Sequence, residues 1–313
     1  MMVSEVGFGT SPVGGIMWGE VDDDVSVAAI RRSFDLGVNF FDTADVYGHG
    51  RSEELIARAF AGKRPNVVIA TKVGIDFRLP HRTSSNFVPA YVRQALEASL
   101  SRLKTDYVDL YQLHNPPQKL AKDERIWSLL ADLKAEGKIR FFGISVRTVN
   151  DAVRYLKLAH AKDVHSQRYG DTVQVPYNML DQEAATKGVF VEAARQDWGV
   201  ITRVPLASGM LAGKYGADHY FPPGDFRGNW PQERLAETVR RVESLRFLSE
   251  PNERTMAQTS IAFALSQEAA STVIPGARNG KQAAENAVAS ELAPLGQDDL
   301  RVAQQLYETD FVG

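Results

Sequence analysis

Short apolar runs alternate with amphipathic stretches from one end of this 313-residue chain to the other, and that alternation restricts the fold more than any other feature. The runs are VNFFDTA (38–44), VVIATKV (67–73), YVDLYQLH (107–114), IRFFGIS (139–145), TVQVPYN (172–178), GVITRVPL (199–206) and STVIPGA (271–277), with a weaker one in SPVGGIMWG (11–19). They are continuous and not strictly alternating, which suits parallel strands covered on both faces. Helical patterns lie between them at 24–37, 89–103, 123–138, 183–199, 255–269 and 279–290. Counting the weak first run, the reading is eight strands, each followed by a helix. Such alternation implies a parallel sheet, and right-handed crossovers leave a closed barrel or an open doubly wound sheet. Eight strands in about 300 residues favour an α/β fold of the (β/α)8 TIM-barrel type, one domain over 1–313. The irregular segment 214–235 follows the seventh strand directly and leads into a further helical pattern, 235–248. It therefore reads as a long βα loop with an extra helix at the C-terminal face.

Composition narrows the function. Lysines and arginines are scattered and the net charge is −3, so neither a nucleic-acid nor an anionic-membrane partner is expected. The absence of cysteine removes disulfides, thiolate metal sites and a cysteine nucleophile. No segment approaches the roughly 18 uncharged apolar residues that span a bilayer. The N-terminus lacks the pattern of a secretory signal, and the expectation is a cytoplasmic protein.

In a barrel of this kind the chemistry sits at the C-terminal ends of the strands. Those ends carry Asp42, Lys72, His114, Ser145, Gln174 with Asn178, and Arg203, with Tyr47 in the loop beyond Asp42. A lysine inside IATKVG has no packing reason to be there and needs a paired charge, for which Asp42 on the neighbouring strand is the partner. A free phenol has a pKa of about 10, and a nearby ammonium favours its phenolate. Lys72 beside Tyr47 would thus make a general acid towards a carbonyl oxygen, and a base in reverse. His114 could hydrogen-bond the same carbonyl. No His or carboxylate spacing suggests a metal site.

The segments VNFFDTADVYGHGRSEE, IATKVG, VDLYQLHNP, GKIRFFGIS, QVPYN, VPLASGMLAGKY and IPGARNGKQAAENAVA occur in this order from about residue 5 to 292. Together they resemble the aldo-keto reductase superfamily, in its bacterial type. The resemblance implies a catalytic tetrad of Asp42, Tyr47, Lys72 and His114, and an oxidoreductase that uses NADP(H) to reduce aldehydes and ketones to alcohols, reversibly. It implies that Ser145 and Gln174 hold the nicotinamide carboxamide, and that Arg203, followed by Pro205 and Leu206, lines the nicotinamide face. It places Ser208, Leu211 and Lys214 in the loop resembling the pyrophosphate clamp. Gly276 and Arg278 then match the adenosine 2′-phosphate site, and Gln282, Glu285 and Asn286 the adenine contacts. A guanidinium suits a phosphate physically, and a helix start near Asn279 adds backbone donors. Two departures stand out: Val146 replaces an Asn common after the serine, and Arg203 replaces the commoner aromatic ring.

Trp18, Phe77 and Trp230 are the expected walls of a small-molecule carbonyl or alcohol pocket, with Arg78, His81, Tyr220, Phe221 and Phe226 from the same long loops. Arg51 reads as a partner of Glu54 or as a residue near the loop base, His49 as solvent-facing, and Asp22 to Asp24 as a solvated helix start. The oligomeric expectation is a monomer or small homo-oligomer. Two alternatives compete with a reductase: a cofactor-binding redox-sensing regulatory subunit, and a Schiff-base lyase using Lys72.

Overall fold

The computed structural model describes residues 1–77, 85–161, 170–249 and 254–311. Arg78 and His81 lie outside the described residues. The strands are β1 (Phe8–Gly9), β2 (Phe40–Asp42), β3 (Val68–Val73), β4 (Val108–His114), β5 (Ile139–Ser145), β6 (Thr172–Pro176), β7 (Gly199–Arg203) and β8 (Ala270–Ile274). Each pairs in parallel with the next in chain order. The two edges meet through parallel bridges between Val6 and Val273 and between Gly9 and Gly276, which closes the barrel.

Helices surround the sheet: α1 (Asp23–Asp35), α2 (Arg51–Ala59), α3 (Pro89–Leu103), α4 (Glu124–Ala135), α5 (Val149–Ala161), α6 (Glu183–Thr186), α7 (Val189–Arg195), α8 (Gln232–Glu243), α9 (Met256–Leu265), α10 (Gly280–Ala287) and α11 (Gln297–Glu308). Local chemistry sets their starts. The Asp22 carboxylate accepts from the Val25 amide, Thr255 and Gln258 form a capping box, and Asn279 accepts from Gln282. Pro89 opens α3, where its missing N–H is not needed.

The structure corrects several sequence expectations. The first strand is not in 11–19 but at Phe8–Gly9, and Ser11–Gly14 is a 3-10 turn. Pro12 cannot donate to a sheet ladder, so the strand ends before it. The 183–199 pattern splits at Gly188, whose left-handed backbone separates α6 from α7. Helices α2, α5 and α11 were not among the patterns singled out. Arg51 pairs with Asp23 at 2.5 Å and not with Glu54, and Asp24 pairs with Arg58, so of the acidic run only Asp22 lacks an ion pair among the described residues.

Inside the barrel the period-2 geometry of the strands sorts residues by layer. Phe40, Ala70, Leu110, Ile201 and Ile274 form an apolar plug. Two residues further along their strands, Asp42, Lys72, Gln112 and Arg203 follow on the same inward side. Gly143 lets β5 approach β6, since a β-carbon there would lie 2.4 Å from the Thr172 carbonyl oxygen.

At the opposite, N-terminal end, buried Asp109 accepts from Arg64 at 2.7 Å, from Arg140 at 2.9 Å and from the Ile69 amide at 2.9 Å. Removing this carboxylate leaves the buried Ile69 amide without its acceptor and takes the counter-charge from Arg64 and Arg140. Asp109→Ala is therefore expected to cost about 3 kcal/mol of stability, read as a shift in denaturant midpoint, while ligand affinity at the far end of the barrel stays unchanged.

Candidate active site

The polar layer is built around one carboxylate. Asp42 ends β2 and is almost fully buried. Its Oδ1 lies 2.5 Å from the Lys72 ammonium, and its Oδ2 accepts from Gln112 at 3.2 Å and from Gln174 at 2.8 Å. Lys72 has no solvent exposure and also donates to the Thr43 carbonyl at 2.8 Å. Burial by itself would lower the lysine's pKa, but Asp42 and then Tyr47 outweigh it, and the net direction is upward. The ammonium therefore stays charged.

Tyr47 reaches this pair because of an unusual turn. Gly48, His49 and Gly50 are successive left-handed residues, with φ of 63°, 54° and 97°. A β-carbon on Gly48 would lie 2.5 Å from the Gly14 carbonyl oxygen, so glycine is required there. Below the turn, Thr43 donates to Ser52, Ser52 to Thr10, and Thr10 to the Asp42 carbonyl, tying β1, β2 and α2 together. The turn brings the Tyr47 ring centroid to 5.0 Å from the Lys72 nitrogen and to 6.1 Å from His114, edge-on at 88°.

His114 ends β4 with its Nδ1 buried and unpartnered among the described residues. Burial, followed by the cations Lys72, Arg203 and Arg147, holds its pKa well below the usual imidazole range. The ring is therefore neutral at neutral pH. Ser145 donates to the Gln174 side-chain oxygen at 3.0 Å, and Gln174 in turn donates to Asp42, so the two polar strand ends join the same network. Gln112 is a member that sequence reasoning missed. Its signal was its place two residues before His114 on an inward-facing strand.

A cavity of about 810 Å³ runs from this network across the barrel mouth, a volume usual for a ligand site. It is lined by Asp42, Tyr47, Gln174 and Arg203 of this layer, by Lys214, Arg278, Lys281, Gln282, Glu285 and Asn286, and by Pro12, Val204, Pro205, Leu206 and Ile274. Ser208 and Gly276 line it as well. Leu211 does not: its side chain is buried in the core and its amide bonds to the Leu206 carbonyl. The segment after β7 is strained, with Val204, Ala207 and Ser208 all at positive φ. Side chains from elsewhere hold its carbonyls: Asn178 on Val204 at 3.0 Å, Ser260 on Pro205 at 2.5 Å and Arg227 on Ser208 at 2.9 Å. Arg278 donates to the Glu20 carbonyl, and Asn286 to that of Gly276.

The expected pocket walls divide. Trp18 lines the cavity, donates to Ser11 at 3.2 Å and packs edge-on against Phe226 at 5.0 Å. It also bridges to Asp225, which joins the loop after β1 to the loop after β7 over the cavity. Trp230 packs beside Phe226 and under Arg234, and Phe77 stacks on His49 at 5.0 Å; neither lines the cavity. The exposed His49 ring thus has one face covered.

Asp45 lies behind the site, 2% exposed, with one carboxyl oxygen buried and unpartnered. Its neighbour Glu53 is already engaged by Thr71 and by Arg102, both at 2.6 Å. Burial first, and Glu53 second, push the Asp45 carboxyl up from 3.8 to about 8.

A family model described as the Aldo/keto reductase family matches residues 5–308. Among curated proteins, the chain is 31% identical to the aldo-keto reductase YhdN of Bacillus subtilis, over 89% of this chain and 82% of that one. It is also 31% identical to the aldo-keto reductase yakc [NADP(+)] of Schizosaccharomyces pombe, over 91% and 83%. A relative 28% identical, over 98% of this chain and 95% of that one, is an NADH-specific methylglyoxal reductase of Escherichia coli. Among solved structures, the glycerol dehydrogenase AKR11B4 of Gluconobacter oxydans is similar with a TM-score of 0.81 and 28% identity, covering 99% of this chain and 94% of that one.

The buried acid generates a prediction. With a folded value of about 8 against 3.8, the folded state holds a proton on Asp45 that the unfolded chain releases as pH rises from about 4. Stability should therefore fall with pH across the window from about 4 to 8. Asp45→Asn keeps the shape without the titration, and its unfolding free energy should decline less over that window in parallel denaturant titrations.

Proposed function

The chain belongs to the aldo/keto reductase family, and from that premise we propose that it is an NADPH-dependent reductase of aldehydes or ketones, with Tyr47 as general acid. The observation that carries the reading is the convergence of Tyr47 with a charged Lys72 and a neutral His114, where Tyr47 lines one cavity together with Asp42, Gln174 and Arg203. The donors along the cavity suit a dinucleotide. Gln174, held by Ser145, lines the cavity with Tyr47, and Lys214, Arg278 and Lys281 offer cations elsewhere along it. The nicotinamide group supplies the hydride.

The chain's own residues manage the proton and the charge. Tyr47 gives its hydroxyl proton to the carbonyl oxygen as the carbon becomes tetrahedral. The Lys72 ammonium stabilises the phenolate left behind, and Asp42 keeps that ammonium charged and aimed. His114, being neutral, donates one hydrogen bond to the carbonyl oxygen and orients it without competing for the proton. Alcohol oxidation uses the same groups in reverse. The clamp on Lys72 counts against a Schiff-base lyase, since a protonated amine paired at 2.5 Å is not a nucleophile.

Two measurements check the proposal. Tyr47→Phe should lower kcat for carbonyl reduction by about 100-fold or more, with NADPH binding by fluorescence unchanged; retained turnover would remove Tyr47 from the role. The preference for the phosphorylated cofactor rests on Arg278. Its replacement by Ala should weaken NADPH binding on the order of tenfold more than NADH binding, and equal losses would refute that assignment.

A further inference from the structure

Arg203 closes β7 and lines the cavity together with Asp42, Tyr47 and Gln174. Its guanidinium is anchored by neutral groups, donating to the Val146 carbonyl at 3.0 Å and the Arg147 carbonyl at 3.4 Å. Among the described residues no carboxylate lies within ion-pair distance of it. The charged or titratable groups that face it are Tyr47, Asp181, Asp42 and Arg147. Of these, the Asp42 charge is already committed to Lys72, Asp181 acts on Arg203 only from beyond ion-pair distance and is itself pushed towards its neutral form by burial, and Arg147 adds a second positive charge. Carbonyl acceptors satisfy hydrogen bonds but do not cancel a charge, and a guanidinium keeps its proton in a protein. The wall beside Tyr47 therefore carries a fixed cation that, among the described residues, is held in no ion pair.

We propose that Arg203 makes the site discriminate between the redox states of its cofactor, binding the reduced form more tightly than the oxidised one. The inference rests on the nicotinamide reading above and adds to it. Hydride transfer requires the reacting ring to meet the carbon whose oxygen Tyr47 protonates, so the ring shares the cavity beside Tyr47 with Arg203. Loss of a hydride, one proton with two electrons, turns that ring from neutral to singly positive. A fixed guanidinium in the same low-dielectric space opposes the added charge. An aromatic side chain at this position would act in the other direction, since its ring face attracts a cation. The consequence is that bound oxidised cofactor is a stronger hydride acceptor and leaves more readily. The main-chain carbonyls of residues 146 and 147 aim the guanidinium.

Separate titrations of the full-length protein with NADPH and NADP⁺, by calorimetry, test this without turnover. The ratio of the oxidised to the reduced Kd should exceed one in the wild type. It should fall on the order of tenfold in Arg203→Gln, which removes the charge and keeps a polar side chain, and be kept in Arg203→Lys. Arg203→Met gives the same reading should the Gln variant not fold. An unchanged ratio in the neutral variants, or an equal fall in Arg203→Lys, would overturn the proposal. Binding of neither nucleotide by the wild type would overturn the cofactor reading itself, and this inference with it.

Discussion

Lysine has no place in a fully buried layer unless a carboxylate comes with it, and the pairing of Lys72 with Asp42 at 2.5 Å is the constraint that the rest of the site obeys. Taking both charges out of water costs several kcal/mol per ion, and their attraction offsets this only when the remaining lone pairs are also satisfied. Asp42 meets that condition through Gln112 and Gln174, and Lys72 through the Thr43 carbonyl. The residues that aim the pair are thus also the ones that make it tolerable. Gln174 is itself fixed by Ser145, so the network spans β2, β3, β4, β5 and β6.

Charge balance around this pair assigns the other ionisable groups. Glu53 is matched by Arg102, which leaves Asp45 without an ion pair among the described residues, and burial then favours its neutral form. His114 is pushed the same way by the cations around it. Arg203 is different, because a guanidinium cannot discharge, and its positive charge stays at the cavity wall. One cation is locked behind the tyrosine and another stands beside it. The first stabilises negative charge on oxygen, and the second acts on any ligand that gains positive charge.

The roof of the cavity depends on a second buried pair. Arg227 donates to Asp225 through two nitrogens, at 2.9 and 2.6 Å, reaches the Ser208 carbonyl, and packs over Phe221 at 4.3 Å and Trp18 at 5.2 Å. These residues come from the ends of β1 and β7, adjacent to β8 on its two sides, so barrel closure is what brings the two loops together. In the sequence they looked like pocket-wall aromatics. Trp18 and Phe221 pack on Arg227 and Phe226 packs on Trp18, and among the three principal wall residues only Trp18 keeps a face on the cavity.

What the sequence by itself determined was whatever depends on local periodicity or on a residue type with few places to go. Eight strand–helix units, the pairing of Lys72 with Asp42, and the strand ends that carry the site follow from apolar runs and from a lysine that cannot be buried alone. The first strand was misplaced because two paired residues make no periodic signal, and only the bridges to Val273 and Gly276 define it. Gln112 was missed because an amide in an apolar run has no diagnostic pattern until its neighbour Asp42 is present. Tertiary structure alone decided that Arg51 meets Asp23, that Leu211 turns into the core, and that burial and Glu53 outweigh Arg102 and Lys72 at Asp45. Each of these is a choice between partners far apart in the chain, and only barrel closure sets those distances.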